Sequence, residues 1–529
     1  MDLDDITDGL RRPGAIPDHS GPVETLQTHI SVVFLAGEIV YKLKKPVDMG
    51  FLDFSTPERR KHFCEEEVRL NRRLAPHVYH GVSRIVRTES GELRVDGAGE
   101  TIDHVVRMRR LPAAGMLDEL LDGPGVAEST IEELVQILAR FHAKAPAGPG
   151  VDEHGAPEAV REAVVGNLDG CRSFAAAPGE EAERGVRTIS TQALDHLRAW
   201  IEDAIAERSE LLRRRVEAGR VREGHGDLHA GNICITDDGI VVFDCIEFSK
   251  PLRCGDVARE LAYLAMDLRA RGWLDLADDL VRMYGERTGD PELSELQPLF
   301  QAHYAAVRGH VTSLRAVDSS IGEREREKSA TSARRSLLQA VGLTLAPSLV
   351  LMCGLPATGK SWLSERIALA LGAERIRSDV VRKEMAGPES AAAGRGGVDQ
   401  GMYTPERIRR VYDAMLERAG ETLERGRAVV IDATFSSARE RARFLRQAER
   451  LGRRGLVVHV QCPEAVVRER LAQREGDAAE PSDADLRVYQ SARERFEPPA
   501  EVAAEHLIEV DGRSPAEDGA EATLLRLLG

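Results

Sequence analysis

The stretch 225-HGDLHAGN-232, followed by 243-FD-244, decides the fold of the N-terminal part of this chain. Asp227 is followed five positions later by Asn232, and Asp244 stands at the end of the apolar run IVVF. The intervening residues, ICITDDGIVVF, predict two short strands joined at a DDG turn. Such a hairpin is expected to bring Asp244 back beside Asn232.

This spacing indicates phosphoryl transfer from ATP to a hydroxyl group. The reaction needs a base for the hydroxyl proton and ligands for Mg²⁺. Protein kinases supply an Asp, an Asn five positions later and a second Asp on a nearby strand. Asp227, Asn232 and Asp244 have that arrangement in the sequence.

The pattern resembles the aminoglycoside phosphotransferase and choline-kinase-like families, whose signature is HGDxHxxN, a hydrophobic-Asp pair and a later Gly-Asp. The segment 225–232, Phe243-Asp244 and Gly255-Asp256 match it. The resemblance implies an α+β protein-kinase-like fold with a small β-rich N-lobe and a helical C-lobe. It also implies ATP and Mg²⁺ as cofactors. The implied roles are catalytic base for Asp227, metal ligands for Asn232 and Asp244, and structural brace for Asp256.

The segments upstream predict the remaining kinase elements. HISVVFL (29–35) and EIVYKLK (38–44) predict a β-hairpin, and Thr56-Pro57 predicts the start of a helix. The strand resembles the one that presents a lysine to the ATP phosphates. Lys42 and Lys44 share one face of that strand, so either can take the role, with Lys42 as the first choice. Glu67, or its neighbour Glu66, is the expected helix partner of the lysine.

A second motif, 354-GLPATGKS-361, follows the apolar strand SLVLMC and opens the helix KSWLSERIALALG. This is the context of a phosphate-binding P-loop, in which backbone N–H groups surround the phosphates. Lys360 is expected to reach the β/γ oxygens as a catalytic group, and the Ser361 hydroxyl to bind Mg²⁺. The predicted nucleotide-binding residues are Gly354, Leu355, Pro356, Ala357, Thr358, Gly359, Lys360 and Ser361.

The residues after the P-loop resemble small AAA-type ATP-binding P-loop kinases, typified by polynucleotide 5′-kinase, gluconate kinase and the zeta-toxin kinases. The resemblance implies Asp379 as the base and Arg474, four residues after Arg470, as a lid arginine near the ATP phosphates. Asp432 is implied as a metal-shell or acceptor-binding group. Asp379 is alternatively an N-cap of the following helix. The Gly/Ala-rich segment 387–405 is either a lid loop or a linker.

The strand–helix alternation after Pro347 predicts an α/β domain with a parallel sheet. We therefore predict an N-terminal segment (1–28), an aminoglycoside-phosphotransferase-like kinase domain (29–344) and a P-loop domain (345–529).

Composition predicts a cytoplasmic protein without a membrane segment. The net charge is −16 and aromatic residues make up 4% of the chain, so nucleic acid is not the expected partner. The seven cysteines are scattered without metal-ligand spacing, and the acidic N-terminus has no apolar core of a signal peptide.

The combined hypothesis is a bifunctional ATP-dependent phosphotransferase with two kinase-like domains, each acting on a small hydroxylated acceptor. Two alternatives stay open. One domain is a nucleotide or ligand sensor that controls the other, or the P-loop domain acts on nucleic-acid 5′ ends. The sequence leaves the acceptors and the oligomeric state undefined.

Overall fold

The computed structural model describes residues 2–17, 19–50, 52–386, 405–474 and 486–529. The chain forms two compact units. The first comprises Met1–Val160, Ala206–Arg271 and Asp275–Phe300, and the second comprises Arg161–Ile205, Gly272–Leu274 and Gln301–Gly529. No helix among the described residues is both long enough and apolar enough to cross a membrane.

A six-stranded antiparallel sheet forms the N-terminal part of the first unit. Its strands are β1 (Glu24–Gln27), β2 (Ser31–Ala36), β3 (Ile39–Lys44), β4 (Tyr79–Arg87), β5 (Leu93–Val95) and β6 (Glu100–Arg109), in the spatial order β1-β2-β3-β6-β4-β5. The β2–β3 hairpin turns at Gly37, whose φ of +63° is unstrained only in glycine. This hairpin was predicted from the sequence.

Two helices, α1 (Leu3–Leu10) and α2 (Pro57–Asn71), pack on this sheet. Tyr41 and Leu43 of β3 belong to the same buried apolar cluster as Leu10 of α1. Because side chains alternate along a strand, Lys42 and Lys44 point to the opposite face, toward α2. Thr56 caps α2 by accepting the Arg59 N–H, as the sequence predicted.

The chain is mainly helical from residue 117 to residue 342. The helices are α3 (Leu117–Asp122), α4 (Glu128–Lys144), α5 (Pro157–Cys171), α6 (Thr191–Glu207), α7 (Ser209–Glu217), α8 (Lys250–Arg253), α9 (Val257–Ala270), α10 (Leu274–Thr288), α11 (Gln297–Ala316) and α12 (Glu323–Gly342). Two small antiparallel sheets lie among them: β7 (Val221–Glu223) with β10 (Cys254–Asp256), and β8 (Ile233–Thr236) with β9 (Gly239–Val242). The predicted α+β kinase-like class is confirmed.

A five-stranded parallel sheet forms the core of the second unit. Its strands are β11 (Ser348–Cys353), β12 (Glu374–Arg377), β13 (Val429–Asp432), β14 (Arg454–Gln461) and β15 (Leu507–Asp511), in the order β12-β13-β11-β14-β15. The accompanying helices are α13 (Lys360–Leu371), α14 (Ser378–Ala386), α15 (Pro405–Glu424), α16 (Ala438–Arg450), α17 (Glu464–Arg474), α18 (Leu486–Arg495) and α19 (Ala516–Leu528). The predicted α/β class is confirmed, and parallel pairing brings the carboxyl ends of β11, β12 and β13 to one edge.

Helical segments that precede the parallel sheet in sequence are packed into the same unit. Gly342 at the end of α12 lies so close to α13 that a Cβ there would be 1.9 Å from the Ala370 carbonyl oxygen. On α19, the buried Glu521 accepts the Ser190 N–H at 2.6 Å and pairs with Arg187. The predicted boundary at 344/345 separates the two fold types, whereas the compact unit also includes residues 161–205 and 301–344. The domain division itself stays a prediction.

Candidate active sites

The catalytic-loop candidate, residues 225–232, follows β7 and is held from within by His225. This fully buried imidazole donates from Nε2 to the Phe243 carbonyl oxygen at 2.9 Å and accepts the Asp227 N–H at Nδ1. Burial lowers the pKa of His225, so the ring is neutral, as these two bonds require. His225 therefore fixes the backbone of Asp227 rather than exchanging protons.

The Asp227 carboxylate is oriented through one of its two oxygens. Asn232 donates from Nδ2 to Oδ2 at 3.0 Å and to the Asp227 carbonyl oxygen at 2.9 Å. His229 Nε2 lies 3.5 Å from the same Oδ2. Burial by itself raises the pKa of Asp227, but the hydrogen bond and charge of His229 outweigh it, and the pKa lies below its usual value. The carboxylate is thus ionised at neutral pH.

The hairpin β8–β9 brings Asp244 beside Asn232, as the sequence predicted. The Phe243 N–H donates to the Asn232 carbonyl oxygen at 3.0 Å. Asp244 adopts a φ of +64°, which is uncommon for a residue with a side chain and is often found at functional sites. Its amide donates to the Tyr79 hydroxyl at 3.1 Å, and its carboxylate is 41% exposed. Asp244 is therefore fixed by its backbone while its carboxylate stays partly exposed.

The two candidate lysines of β3 both contact Glu67 and differ in their second partner. Lys42 Nζ lies 3.0 Å from Glu67 Oε1 and 2.5 Å from Asp244 Oδ1. Lys44 Nζ lies 2.6 Å from Glu67 Oε2 and also pairs with Glu247, and its side chain is only 1% exposed. Burial lowers the pKa of each lysine, but the facing carboxylates outweigh it and raise both pKa values.

These contacts distinguish Lys42 from Lys44, the two lysines that the sequence left as alternatives for binding the ATP phosphates. Lys42 joins the site because it reaches Asp244, and Lys44 is a buried structural cation between Glu67 and Glu247. Glu66 instead pairs with Arg69 on the surface of α2. Glu247 was missed by the sequence analysis, although its position three residues after Asp244 was a signal for it.

We expect Lys44→Met to lower the free energy of unfolding by about 2–3 kcal/mol, because it leaves the buried Glu247 carboxylate without a partner. Lys42→Met is expected to weaken ATP binding with a smaller loss of stability, since Glu67 keeps Lys44. Urea unfolding and ATP titration of both variants measure the two effects. Equal stability losses with equal ATP affinities would contradict this assignment.

Helix α9 holds both ends of the catalytic loop through buried carboxylates, which sequence reasoning did not identify. Glu260 accepts the His225 N–H at 2.6 Å, and Asp267, two turns later, accepts the Ala230 N–H at 2.9 Å. Glu260 also contacts His142 Nε2 at 3.2 Å. Burial raises the pKa of Glu260, but His142 and the His225 amide outweigh it and lower the pKa.

Glu260→Ala is expected to destabilise the protein by about 1–3 kcal/mol, because it leaves the buried His225 N–H without an acceptor. Amide hydrogen exchange should then be faster at His225 and at neighbouring loop positions. Glu260→Gln retains an acceptor oxygen and is the matched control. Unchanged exchange at His225 in the alanine variant would show that Glu260 does not hold the loop.

The P-loop, residues 354–361, connects β11 to α13 as the sequence predicted. Gly354 has a φ of +140°, and a Cβ there would lie 2.4 Å from the Val460 carbonyl oxygen. Gly359 has a φ of +104° and directly precedes the helix. The largely buried Lys360 donates from Nζ to the Leu355 carbonyl oxygen at 2.6 Å, across the mouth of the loop. The loop therefore has the curvature that a phosphate group requires.

Asp432 ends β13 beside the P-loop strand, and its Oδ2 atom is surrounded by donors. Ser364 donates its hydroxyl to Oδ2 at 3.1 Å, and Arg375 Nη2 lies 3.0 Å away. Arg377 Nε lies 3.7 Å from the same oxygen. Arg375 also donates to the Ser361 carbonyl oxygen at 2.6 Å. Asp432 thus joins β12, β13 and the start of α13.

Asp379 lies in the first turn of α14, which begins at Ser378, so the residue is inside the helix rather than at an N-cap before it. Its Oδ1 atom is 3.0 Å from Arg382 Nη1. Cα register pairs Arg377, two residues earlier, with Asp432. Asp379 and Asp432 therefore follow neighbouring strands at the same edge of the sheet as the P-loop.

Arg470 of α17 reaches the P-loop, where its guanidinium donates to the carbonyl oxygens of Ala357 (3.4 Å) and Gly512 (2.8 Å). Arg474 is the last residue of α17, and its side chain lies outside the described residues. The predicted lid or linker segment lies outside them too, apart from Pro405 at the start of α15. The predicted lid role of Arg474 stays a prediction.

Both sites present oxygen atoms that suit Mg²⁺, which takes one or two protein ligands and completes its shell with phosphates and water. In the first unit, Asn232 uses its Nδ2 on Asp227, which leaves its amide oxygen and the partly exposed Asp244 carboxylate as candidate ligands. In the second unit, the Ser361 hydroxyl and Oδ1 of Asp432 are the available oxygens, since Oδ2 is engaged. Both donor sets fit the ion.

Comparisons with known proteins match both halves of the chain. Residues 47–299 match the phosphotransferase enzyme family, and residues 349–499 match an AAA domain. Uncharacterized proteins of Mycobacterium tuberculosis and Mycobacterium bovis are each 30% identical over 421 residues, which is 79% of this chain and 80% of each relative.

Two solved structures resemble one part of the chain each. A gluconokinase from Sinorhizobium meliloti is 22% identical, covers 34% of this chain and 93% of its own, and has a TM-score of 0.27. A choline/ethanolamine kinase family protein from Mesorhizobium loti is 15% identical, covers 64% of this chain and 95% of its own, and has a TM-score of 0.39. The chain therefore belongs to the same family as these uncharacterized mycobacterial proteins, and its phosphotransferase-family region followed by an AAA-domain region makes it an ATP-dependent kinase.

Proposed function

We propose that the chain carries two phosphoryl-transfer sites, each moving the γ-phosphoryl group of ATP to a hydroxyl of a small-molecule acceptor. The observation that carries the proposal is the geometry around Asp227. Its carboxylate is held by Asn232 within 3.0 Å, and Asn232 stands beside Asp244, which contacts Lys42. These contacts support the proposed roles of Asp227 as base, of Asn232 and Asp244 as oxygen ligands and of Lys42 as phosphate-binding cation.

The atoms of Asp227 indicate how the hydroxyl is activated. Oδ2 takes the Asn232 hydrogen bond, whereas Oδ1 has no hydrogen-bond partner among the described residues. Oδ1 accordingly accepts the proton of the acceptor hydroxyl as the hydroxyl oxygen attacks the γ-phosphorus, and the bond from that phosphorus to the β,γ-bridging oxygen breaks to release ADP. Lys42 binds the ATP phosphates, and Asn232 and Asp244 would hold Mg²⁺, which would neutralise phosphate charge.

At the second site, the P-loop backbone and Lys360 bind the phosphates, and Ser361 with Asp432 holds the metal shell. Asp379 acts as the base for the acceptor hydroxyl. The role of Asp379 as base is supported by its position at the carboxyl edge of the sheet. It lies two residues after Arg377, the residue that pairs in register with Asp432.

A second candidate function for the P-loop half is nucleotide sensing without transfer. This sensing function is favoured by two ion pairs at the carboxyl edge of the parallel sheet: Asp379 pairs with Arg382, and Asp432 pairs with Arg375. Each of these carboxylates is already engaged by an arginine of the same unit. Tight ATP binding that depends on Lys360, with no transfer that depends on Asp379, would favour the sensor.

The test is transfer from γ-labelled ATP to a panel of hydroxylated metabolites and 5′-hydroxyl oligonucleotides, using the full chain. Asp227→Asn and Lys360→Ala each inactivate one site, so each labelled product can be assigned to a unit. We expect two product classes, each lost in one variant. If neither substitution reduced any transfer, the proposal of two kinase sites would be wrong.

A further inference from the structure

Arg377 differs from the other arginines at the carboxyl edge of the parallel sheet. It is the last residue of β12, and its Nε lies 3.7 Å from Asp432 Oδ2. Its side chain is 22% exposed, and its terminal nitrogens Nη1 and Nη2 have no hydrogen-bond partner in the described part of the chain. This guanidinium therefore lies beside the Asp432 carboxylate without a hydrogen bond to it, and its outer end is available within the described part of the chain.

The neighbouring arginines are already occupied. Arg375 donates from Nη2 to Asp432 Oδ2 and to the Ser361 carbonyl oxygen. Arg382 Nη1 lies 3.0 Å from Asp379 Oδ1. Arg377 is thus the arginine of this group whose terminal nitrogens make no hydrogen bond within the described part of the chain. A guanidinium that lies beside a carboxylate without a hydrogen bond to the chain keeps its donors for a ligand.

The chemistry of the outer guanidinium defines its ligand. The two terminal nitrogens carry N–H donors in a planar fork that matches the oxygens of a carboxylate or phosphate group. Arg377 is two residues from Asp379, the proposed base, and it is paired in register with Asp432 beside the P-loop strand. A group bound by Arg377 is therefore close to the hydroxyl that Asp379 would activate.

The charges at this edge agree with an anionic ligand. Arg375 and Arg377 share one carboxylate, Asp432, and Arg382 pairs with Asp379, while Lys360 lies nearby on the P-loop. A neutral acceptor leaves the outer end of Arg377 solvated by water alone. An anionic acceptor replaces that water with a charge-assisted contact.

We propose that Arg377 is a specificity-determining residue that binds a carboxylate or phosphate group of the acceptor at the P-loop site. The inference rests on the proposed function of that site and names the class of its acceptor: a hydroxylated molecule that carries an anionic group. Arg377 touches that group and leaves proton transfer to Asp379.

The test measures anion binding by the full chain after the nucleotide sites are saturated with Mg²⁺ and a non-hydrolysable ATP analogue. Saturation prevents small anions from occupying the positions of the ATP phosphates. Calorimetric titrations with inorganic phosphate and, separately, with acetate then compare the two anionic groups. We expect one of them to bind, and Arg377→Gln to weaken that binding about tenfold or more, because a charged bidentate contact is lost.

Two further variants make the result specific. Arg377→Lys keeps the charge without the planar fork and should bind with intermediate affinity. Arg439→Gln removes an exposed arginine of α16 and should match the wild-type protein. Unchanged anion affinity in Arg377→Gln, or no anion binding by the nucleotide-loaded wild-type protein, overturns the inference.

The nucleotide titration that precedes each experiment separates this inference from the proposed function. Loss of analogue affinity in Arg377→Gln with unchanged anion affinity would assign Arg377 to ATP instead of the acceptor, and would also overturn the inference. Failure of the wild-type P-loop to bind the analogue in a Lys360-dependent way would reject the proposed function itself.

Discussion

Asp227→Asn is expected to lower phosphoryl transfer at the kinase-like site by about 10²–10⁴-fold, the usual range for loss of a positioned general base. The amide has the same shape as the carboxylate, and its oxygen can still accept the Asn232 hydrogen bond. The substitution therefore removes proton-accepting capacity while it preserves the local fold. Initial rates with labelled ATP measure the effect once the panel has identified an acceptor.

The control for this prediction is Asp237→Asn, which alters an exposed carboxylate in the β8–β9 turn of the same unit. It should retain the wild-type rate, and both variants should unfold at the wild-type temperature. A transfer rate in Asp227→Asn within threefold of the wild-type rate would contradict the assigned base. Transfer that falls only together with the unfolding temperature would point to a structural role.

Arg215→Leu is expected to lower the free energy of unfolding of the first unit by about 3–5 kcal/mol, because it breaks a buried ion network. Arg215 is 1% exposed and donates to two carboxylates, Asp256 at 2.7 and 2.8 Å and Asp290 at 2.6 and 2.8 Å. Asp256 also caps α9, the helix that holds the catalytic loop. A loss of this size is a large share of the stability of a typical domain.

The adjacent residue provides a matched comparison. Arg214 is 50% exposed and pairs with Glu292 on the surface, so Arg214→Leu should leave the urea unfolding curve unchanged. Asp256 was expected to be a structural brace from the family resemblance, and this pair of variants tests that expectation. Equal unfolding midpoints for the two variants would show that the buried network does not stabilise the fold.

The elements that the sequence predicted well depend on neighbouring residues. The hairpin at Gly37, the helix start at Thr56, and the strand and helix around the P-loop are each encoded within about ten residues. The meeting of Asn232 with Asp244 was also predictable, because a short turn fixes that register.

The contacts that the sequence did not predict join residues far apart in the chain. Alternation along β3 placed Lys42 and Lys44 on one face but did not distinguish them, since the distinction depends on Asp244 and Glu247, some 200 positions later. The roles of Glu260 and Asp267 were hidden for the same reason, because buried carboxylates on a helix reveal their partners only after packing.

The packing of α12 against α13 has a consequence for where this chain could be divided and recombined. Residues 300–348, between the two family matches, contain a folded helix that approaches the P-loop helix at a glycine, instead of a free tether. The buried Glu517 and Glu521 of the C-terminal helix take their partners Arg335 and Arg187 from earlier segments. Recombination at this junction would therefore separate surfaces that pack against each other within one compact unit.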